Sequence, residues 1–128
     1  MSGKTAKKRL SACKDRGEKI QAILNGKKGS VDVTEFLNTI KFVLVVIDEY
    51  LKTKDKERPS TVDEGARIES LMKEYEELLV QLVNTGRFLR FFTSNRVRKN
   101  LDQINAQLHK EISLINMGLQ ANKRKSLK

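Results

Sequence analysis

Apolar and small residues recur at helical spacing in four stretches of this chain. In the first, Ala6, Leu10, Cys13, Gly17, Ile20 and Leu24 follow at alternating steps of four and three, which places them on one stripe of a helix. Asn25-Gly26 and the loop KKGS end it. The second stretch takes Ser30 or Asp32 as N-cap and carries the stripe Val33, Phe36, Leu37, Ile40, Val43, Leu44, Ile47 and Leu51. Phe42, Val45 and Val46 fall on its opposite side, so this helix is apolar nearly all round and is expected to be the most buried. Its β-branched run VLVVI also suits a strand, but nothing else in the chain offers a strand to pair with, which favours helix.

The third stretch follows the charged connection TKDKERPST. Pro59, with Ser60–Asp63 and Thr61–Glu64, resembles a capping box. Ile68, Leu71, Met72, Tyr75, Leu78, Leu79, Leu82 and Val83 form its stripe, and Asn84-Thr85-Gly86 stops it. The fourth, capped by Thr93 or Ser94, runs through Val97, Leu101, Ile104, Leu108, Ile112, Ile115 and Leu119. Helices are therefore predicted at about 4–25, 31–53, 61–84 and 94–121. Short connections make the fold all-α, an antiparallel up-and-down four-helix bundle over residues 1–122 with a disordered basic tail at 123–128. The first and last helices are expected to be neighbours that close the bundle and pool their charge. Gly17, inside a helical pattern where it costs about 1 kcal/mol against Ala, points to a close helix crossing.

A chain of 128 residues is one domain and buries roughly two thirds of its unfolded surface. Its one cysteine excludes an intramolecular disulfide framework and fits a reducing compartment. The longest apolar run, FVLVVI, falls far short of the roughly 18 residues of a membrane span. Charge changes the picture more. Residues 1–30 carry nine Lys/Arg against two Asp/Glu, residues 31–83 seven against twelve, and residues 84–128 ten against two. Basic, acidic and basic segments suggest one basic face and one acidic face, and basic faces attract phosphates on nucleic acid or lipid.

Catalytic chemistry finds little support. A single histidine and a single cysteine assemble neither a metal cluster nor a Cys/His pair. His109 reads as a half-exposed surface residue and Cys13 as a small core residue. No phosphate-cradling glycine motif is present, and Glu74, Glu76 and Glu77 beside Lys73 read as a solvated face. The expectation is no enzyme, no catalytic residue, no metal and no cofactor.

The stretch GRFLRFFTSNRVRKN differs from the rest. Arg87, Arg90, Arg96, Arg98 and Lys99 alternate with Phe88, Leu89, Phe91 and Phe92, and no acidic residue intervenes. Arg96, Arg98 and Lys99 fall in the first turns of the fourth helix, where cations oppose its dipole and suggest an anionic partner. The plain alternative is a connection whose aromatics fold onto the bundle end while its arginines face water.

From Arg87 to Leu119, the pattern RFLRFFTS…RKNLDQINAQLHKEISLINMGL resembles the last helix of the N-terminal four-helix bundle of mixed lineage kinase domain-like proteins, with its approach. Gln103-Ile104-Asn105, Leu108, Ile112 and Leu114-Ile115-Asn116 carry the helical part of the match, and ACKDRGEKIQAIL more loosely resembles the family's early helix. The resemblance implies a HeLo-type bundle that oligomerises, binds anionic phospholipids and permeabilises membranes in regulated cell death. It also implies a kinase-like domain downstream in the full-length protein.

The leading expectation is a non-enzymatic cytoplasmic bundle recruited to anionic phospholipid membranes. Lys7, Lys8, Arg9, Lys14 and Arg16, together with Arg87, Arg90, Arg96, Arg98 and Lys99, are the candidate lipid contacts on a shared basic face, each worth about 1 kcal/mol near an anionic leaflet. Phe88, Leu89, Phe91 and Phe92 are the candidate structural anchors. Two other classes stay open. An adaptor would dock a partner helix or acidic peptide. Nucleic-acid binding is the weakest of the three, because no recognition helix, stacking platform or zinc module is evident.

Overall fold

The run FVLVVI lies in the middle of an α-helix, and no strand occurs among the described residues. The computed structural model describes residues 2–27, 29, 32–53, 62–84, 86 and 95–126. They form α1 (Ser2–Lys27), α2 (Thr34–Lys52), α3 (Val62–Asn84) and α4 (Asn95–Ser126), an all-α four-helix bundle.

Local chemistry sets several ends. The N-cap of α2 is Val33, with no side-chain cap bond, rather than Asp32; Asp32, one residue earlier, accepts a hydrogen bond from Thr34 N–H at 3.1 Å in a local turn, and Ser30, the other candidate cap, lies outside the described residues. At the far end Thr53 turns extended, and its N–H and hydroxyl both donate to the Glu49 carbonyl. Gly86 stops α3 in the left-handed region at φ 64°, where a glycine has no Cβ to clash. The α4 helix departs from expectation by continuing to Ser126, so residues 123–126 are helical rather than a disordered tail. Extending an existing helix adds a hydrogen bond for each residue ordered, and Lys and Arg are good helix formers.

Helix α2 buries Phe36, Leu37, Thr39, Ile40, Val43, Val46, Ile47 and Tyr50, a denser share than the described residues of the other helices. Its two sides nevertheless separate. Val46 is buried, because at 100° per residue it lies only about 60° round the helix from Val43. Val45, nearly opposite Val43, is 63% exposed. The stripes of the other helices enter the core for the most part: Leu10, Cys13, Ile20 and Leu24 from α1, Ile68, Met72, Tyr75, Leu79 and Leu82 from α3, and Leu101 to Leu119 from α4, while Leu71 and Leu78 are only partly buried and Val83, at the end of the α3 stripe, is exposed. Phe36 and Tyr75 meet edge to face across the middle, with centroids 6.4 Å apart.

Contacts give the direction of each helix. Lys14 reaches Asp48, and Gly17 sits beside Leu44, so α1 and α2 run antiparallel. Arg67 reaches Glu111 while Tyr75 lies near Asp102, so α3 and α4 run antiparallel. Cys13 lies near Glu69 and Arg16 reaches Glu76, which makes α1 parallel to α3. Glu35 and Phe42 face Asp102 and His109, which makes α2 parallel to α4. The chain therefore goes up, down, up and down, but α1 packs on α2 and α3, and α4 packs on the same two helices.

The expected pairing of α1 with α4 does not form: these helices stand at opposite corners. Charge supplies the reason. Helix α1 holds eight Lys/Arg against two Asp/Glu and α4 seven against two, whereas α3 holds two against six and α2 two against three. Neighbouring α1 and α4 would juxtapose like charges; diagonal placement gives each basic helix two acidic neighbours.

Gly17 is the close crossing. A Cβ there would lie 2.7 Å from Leu44 Cδ2 and 3.2 Å from Met72 Cε. Both atoms end flexible side chains, so Gly17→Ala is expected to stay within about 1 kcal/mol of the parent, its clash offset by helix propensity. Gly17→Leu is expected to lose about 1–3 kcal/mol by overpacking. Leu108, fully buried, should cost about 2–5 kcal/mol when cut to Ala. Urea unfolding measures all three, and a loss below about 1 kcal/mol for Leu108→Ala would place that face outside the core.

Candidate functional site

The lipid-contact candidates separate into three groups once the helices are placed. Lys7 and Lys8 are exposed, line a shallow depression of about 480 Å³ with Ser11 and Leu51, and make no ion pair among the described residues. Arg9 beside them is half-buried. One to two turns further along α1, the cations turn inward to the fold. Lys14 reaches Asp48 at 3.2 Å and Arg16 reaches Glu76 at 2.9 Å, so both link α1 to its acidic neighbours. Arg98 and Lys99 are exposed at the start of α4, where Arg98 lies near Asp32.

The shared lateral basic face is therefore not formed by the described residues. Lys7 and Lys8 lie at the end of the bundle marked by Leu51, and Arg98 at the end marked by Asp32. Helix α2, 19 residues long, separates these ends by about 28 Å. The physical reason is direction: α1 and α4 run opposite ways, so the beginning of one meets the finish of the other. Arg87, Arg90, Phe88, Leu89, Phe91 and Phe92 lie outside the described residues, as does the side chain of Arg96, whose backbone belongs to α4.

The same directions bring together a set that sequence reasoning did not pair. Phe42 stands opposite His109 on parallel helices, so the last residue of α2, Lys52, comes level with Leu119. From there α4 continues seven residues to Ser126, about 10 Å past the end of α2. Those turns contain Lys123, Arg124 and Lys125, and they project at the end where α1 begins with Lys4, Lys7, Lys8 and Arg9.

A second site lies between α2 and α4. A groove of about 450 Å³ is lined by Glu35, Asn38, Thr39 and Phe42 from one helix and by Asp102, Asn105, Ala106 and His109 from the other. His109 is exposed as expected, but its ring lies 5.3 Å from that of Phe42 at a tilt of 36°. Asn105 is 5% exposed, and its Oδ1 has no hydrogen-bond partner among the described residues, a cost of about 1–3 kcal/mol for a buried acceptor. The spacings 35-38-42 and 102-105-109 are both steps of three and four, so each row was visible as a polar stripe. Nothing in either row says that it faces the other.

Titration follows the same geometry. Burial pushes the Cys13 thiol up to about 12, with Glu69 adding to it, so it is a protonated core residue rather than a nucleophile. Burial also raises Tyr75, with Asp102 and Glu35 contributing. Hydrogen bonds from Lys52 and Lys14 hold Asp48 below the usual carboxylate range, and those from Thr34 do the same for Asp32. Among the described residues no three His, Cys, Asp or Glu side chains are arranged to hold a metal, and no helix is long and apolar enough to cross a membrane. Comparison of the chain with protein families, curated proteins and solved structures returns no match.

Because the folded-state pKa of Asp48 lies below its unfolded value, its contribution to stability is present above the ordinary carboxylate range and is lost as pH falls through the lowered value. Asp48→Asn is expected to flatten the acid limb of the stability profile, measured by urea unfolding from neutral to about pH 3. A variant whose profile runs parallel to the parent's throughout would remove Asp48 from the acid response.

Proposed function

We propose that this protein is a non-enzymatic helical bundle that docks end-on onto anionic phospholipid membranes. The observation that carries the reading is the shared basic end, where α1 begins with Lys4, Lys7, Lys8 and Arg9 and α4 finishes with Lys123, Arg124 and Lys125. Lys7 and Lys8 are exposed there without ion pairs among the described residues, while Lys14 and Arg16 are held by Asp48 and Glu76. At about 1 kcal/mol for each cation near an anionic leaflet, the exposed Lys7 and Lys8 supply about 2 kcal/mol toward binding before entropic costs. The resemblance to the mixed lineage kinase domain-like bundle supports this reading. It adds recruitment from the cytoplasm, oligomerisation and membrane permeabilisation to the proposal, with a kinase-like domain downstream in a full-length protein.

An adaptor role is the second reading. It is favoured by Leu114 and Met117, one turn apart on α4 and 46% and 66% exposed.

Flotation with anionic and neutral liposomes tests the proposal, with duplex and single-stranded oligonucleotides as competitors. Lys7→Glu with Lys8→Glu should weaken anionic-liposome binding by at least roughly 30-fold, the value of two lost contacts of about 1 kcal/mol, with little change in stability. Arg98→Glu with Lys99→Glu, at the far end, should have a smaller effect. Equal binding to neutral liposomes, or full binding by the Lys7/Lys8 variant, would overturn the end-on reading, and preferential binding to oligonucleotide would replace it.

A further inference from the structure

The buried polar groups of this bundle gather round one helix. Among the described residues, the buried polar or charged ones are Thr39, Asn105 and Glu111. Asn105 and Glu111 belong to α4, and Thr39 lines the groove that α2 shares with it. Glu111 is 8% exposed. One of its carboxylate oxygens reaches Arg67 of α3 at 3.4 Å, and the other, Oε2, has no hydrogen-bond partner among the described residues. Asn105 Oδ1 and the hydroxyl of Tyr75 are in the same condition, and Tyr75 lies near Asp102 of α4. Helix α1 is the contrast. It buries Leu10, Cys13, Ile20 and Leu24 and no charged group among the described residues, and ion pairs at Lys14 and Arg16 tie it to α2 and α3. It also packs along both neighbours more extensively than α4 does, although α4 is the longest helix.

A buried donor or acceptor without a partner has lost its water and gained nothing in return, and it regains that water when the surfaces part. The three unpartnered atoms found among the described side chains all lie on α4 or beside it, so they favour separation of α4 from its neighbours. We propose that α4 is the releasable helix of this bundle: it lifts from α2 and α3 as one cooperative unit, while α1, α2 and α3 stay packed round the close approach at Gly17. The fold then opens at one place. Release presents the apolar stripe of α4, Leu101 to Leu119, together with the cleft it leaves between α2 and α3. Such an opening delivers apolar surface without unfolding the whole chain. The proposal concerns the free protein in solution, so it stands or falls separately from the membrane reading.

Native-state hydrogen exchange of the whole chain in low urea tests it. Amide protection at Leu108, Ile112 and Ile115 is expected to be at least roughly tenfold below that at Cys13, Ile20, Ile40 and Val43, all of them buried. The α4 amides should also depend less steeply on urea, because a partial opening exposes less surface than global unfolding. Asn105→Leu with Glu111→Met removes both buried polar groups of α4 at similar volume, and should raise α4 protection relative to α1 at least roughly tenfold. Equal protection and equal urea slopes in all four helices, or α1 opening ahead of α4, would overturn the proposal. So would a folded double variant in which the gap between α4 and α1 is unchanged, because the buried polar groups would then not be its cause. Should the double variant not fold, exchange in the parent decides alone.

Discussion

The arrangement of this bundle depends on keeping two strongly basic helices apart. Helices α1 and α4 each carry a large cationic excess, and the structure places them at opposite corners with the more acidic α2 and α3 between them. Lys14–Asp48, Arg16–Glu76 and Arg67–Glu111 are the contacts through which that alternation acts. Each is partly exposed, and an exposed ion pair contributes little to stability. The core is therefore held by burial of the apolar stripes. Charge selects among arrangements that would bury those stripes about equally well, and that selection requires only a modest difference in energy.

Gly17 eases the close approach that the chosen arrangement uses. With no side chain at that level, α1 approaches Leu44 of α2 and Met72 of α3 together, and its stripe can serve both neighbours. The same proximity lets α1 be flanked by ion pairs on both sides at Lys14 and Arg16. Packing and electrostatics agree at this level of the bundle, which favours one arrangement over its competitors.

Two surfaces follow from that choice. Lys14 and Arg16 are held by Asp48 and Glu76, while Lys7 and Lys8 at the start of α1 stay exposed without an ion pair among the described residues. Because α1 and α4 are antiparallel, one end combines the start of the first with the finish of the last. Pairing α2 with α4 in parallel has the opposite consequence. It aligns two rows of equal spacing along one groove, with Glu35 and Asp102 among its lining.

Element type and core were legible in the sequence because both depend on short-range periodicity. The stripe from Leu101 to Leu119 and the stop at Gly86 follow from spacing and from the local chemistry of helix ends. Val46 was misplaced because counting positions does not show how wide an arc two neighbouring helices cover. The helical extension to Ser126 was missed because a basic composition without apolar residues looks like a tail, although propagation from a stable helix needs no core of its own. Which helices touch was legible only for the consecutive pairs α1–α2 and α3–α4. Four amphipathic stripes of similar width can be placed round a core in more than one order, and that order depends on residues far apart in the chain, such as Arg16 with Glu76 or Phe42 with His109. Spacing and composition therefore determined the four helices, most of the apolar stripes and the excess of positive charge, but not the burial of Tyr50 or the exposure of Val83. Only the packing of the four helices settled that α1 and α4 stand diagonally and that Glu35 and Asp102 line one groove, because both depend on residues far apart in the chain.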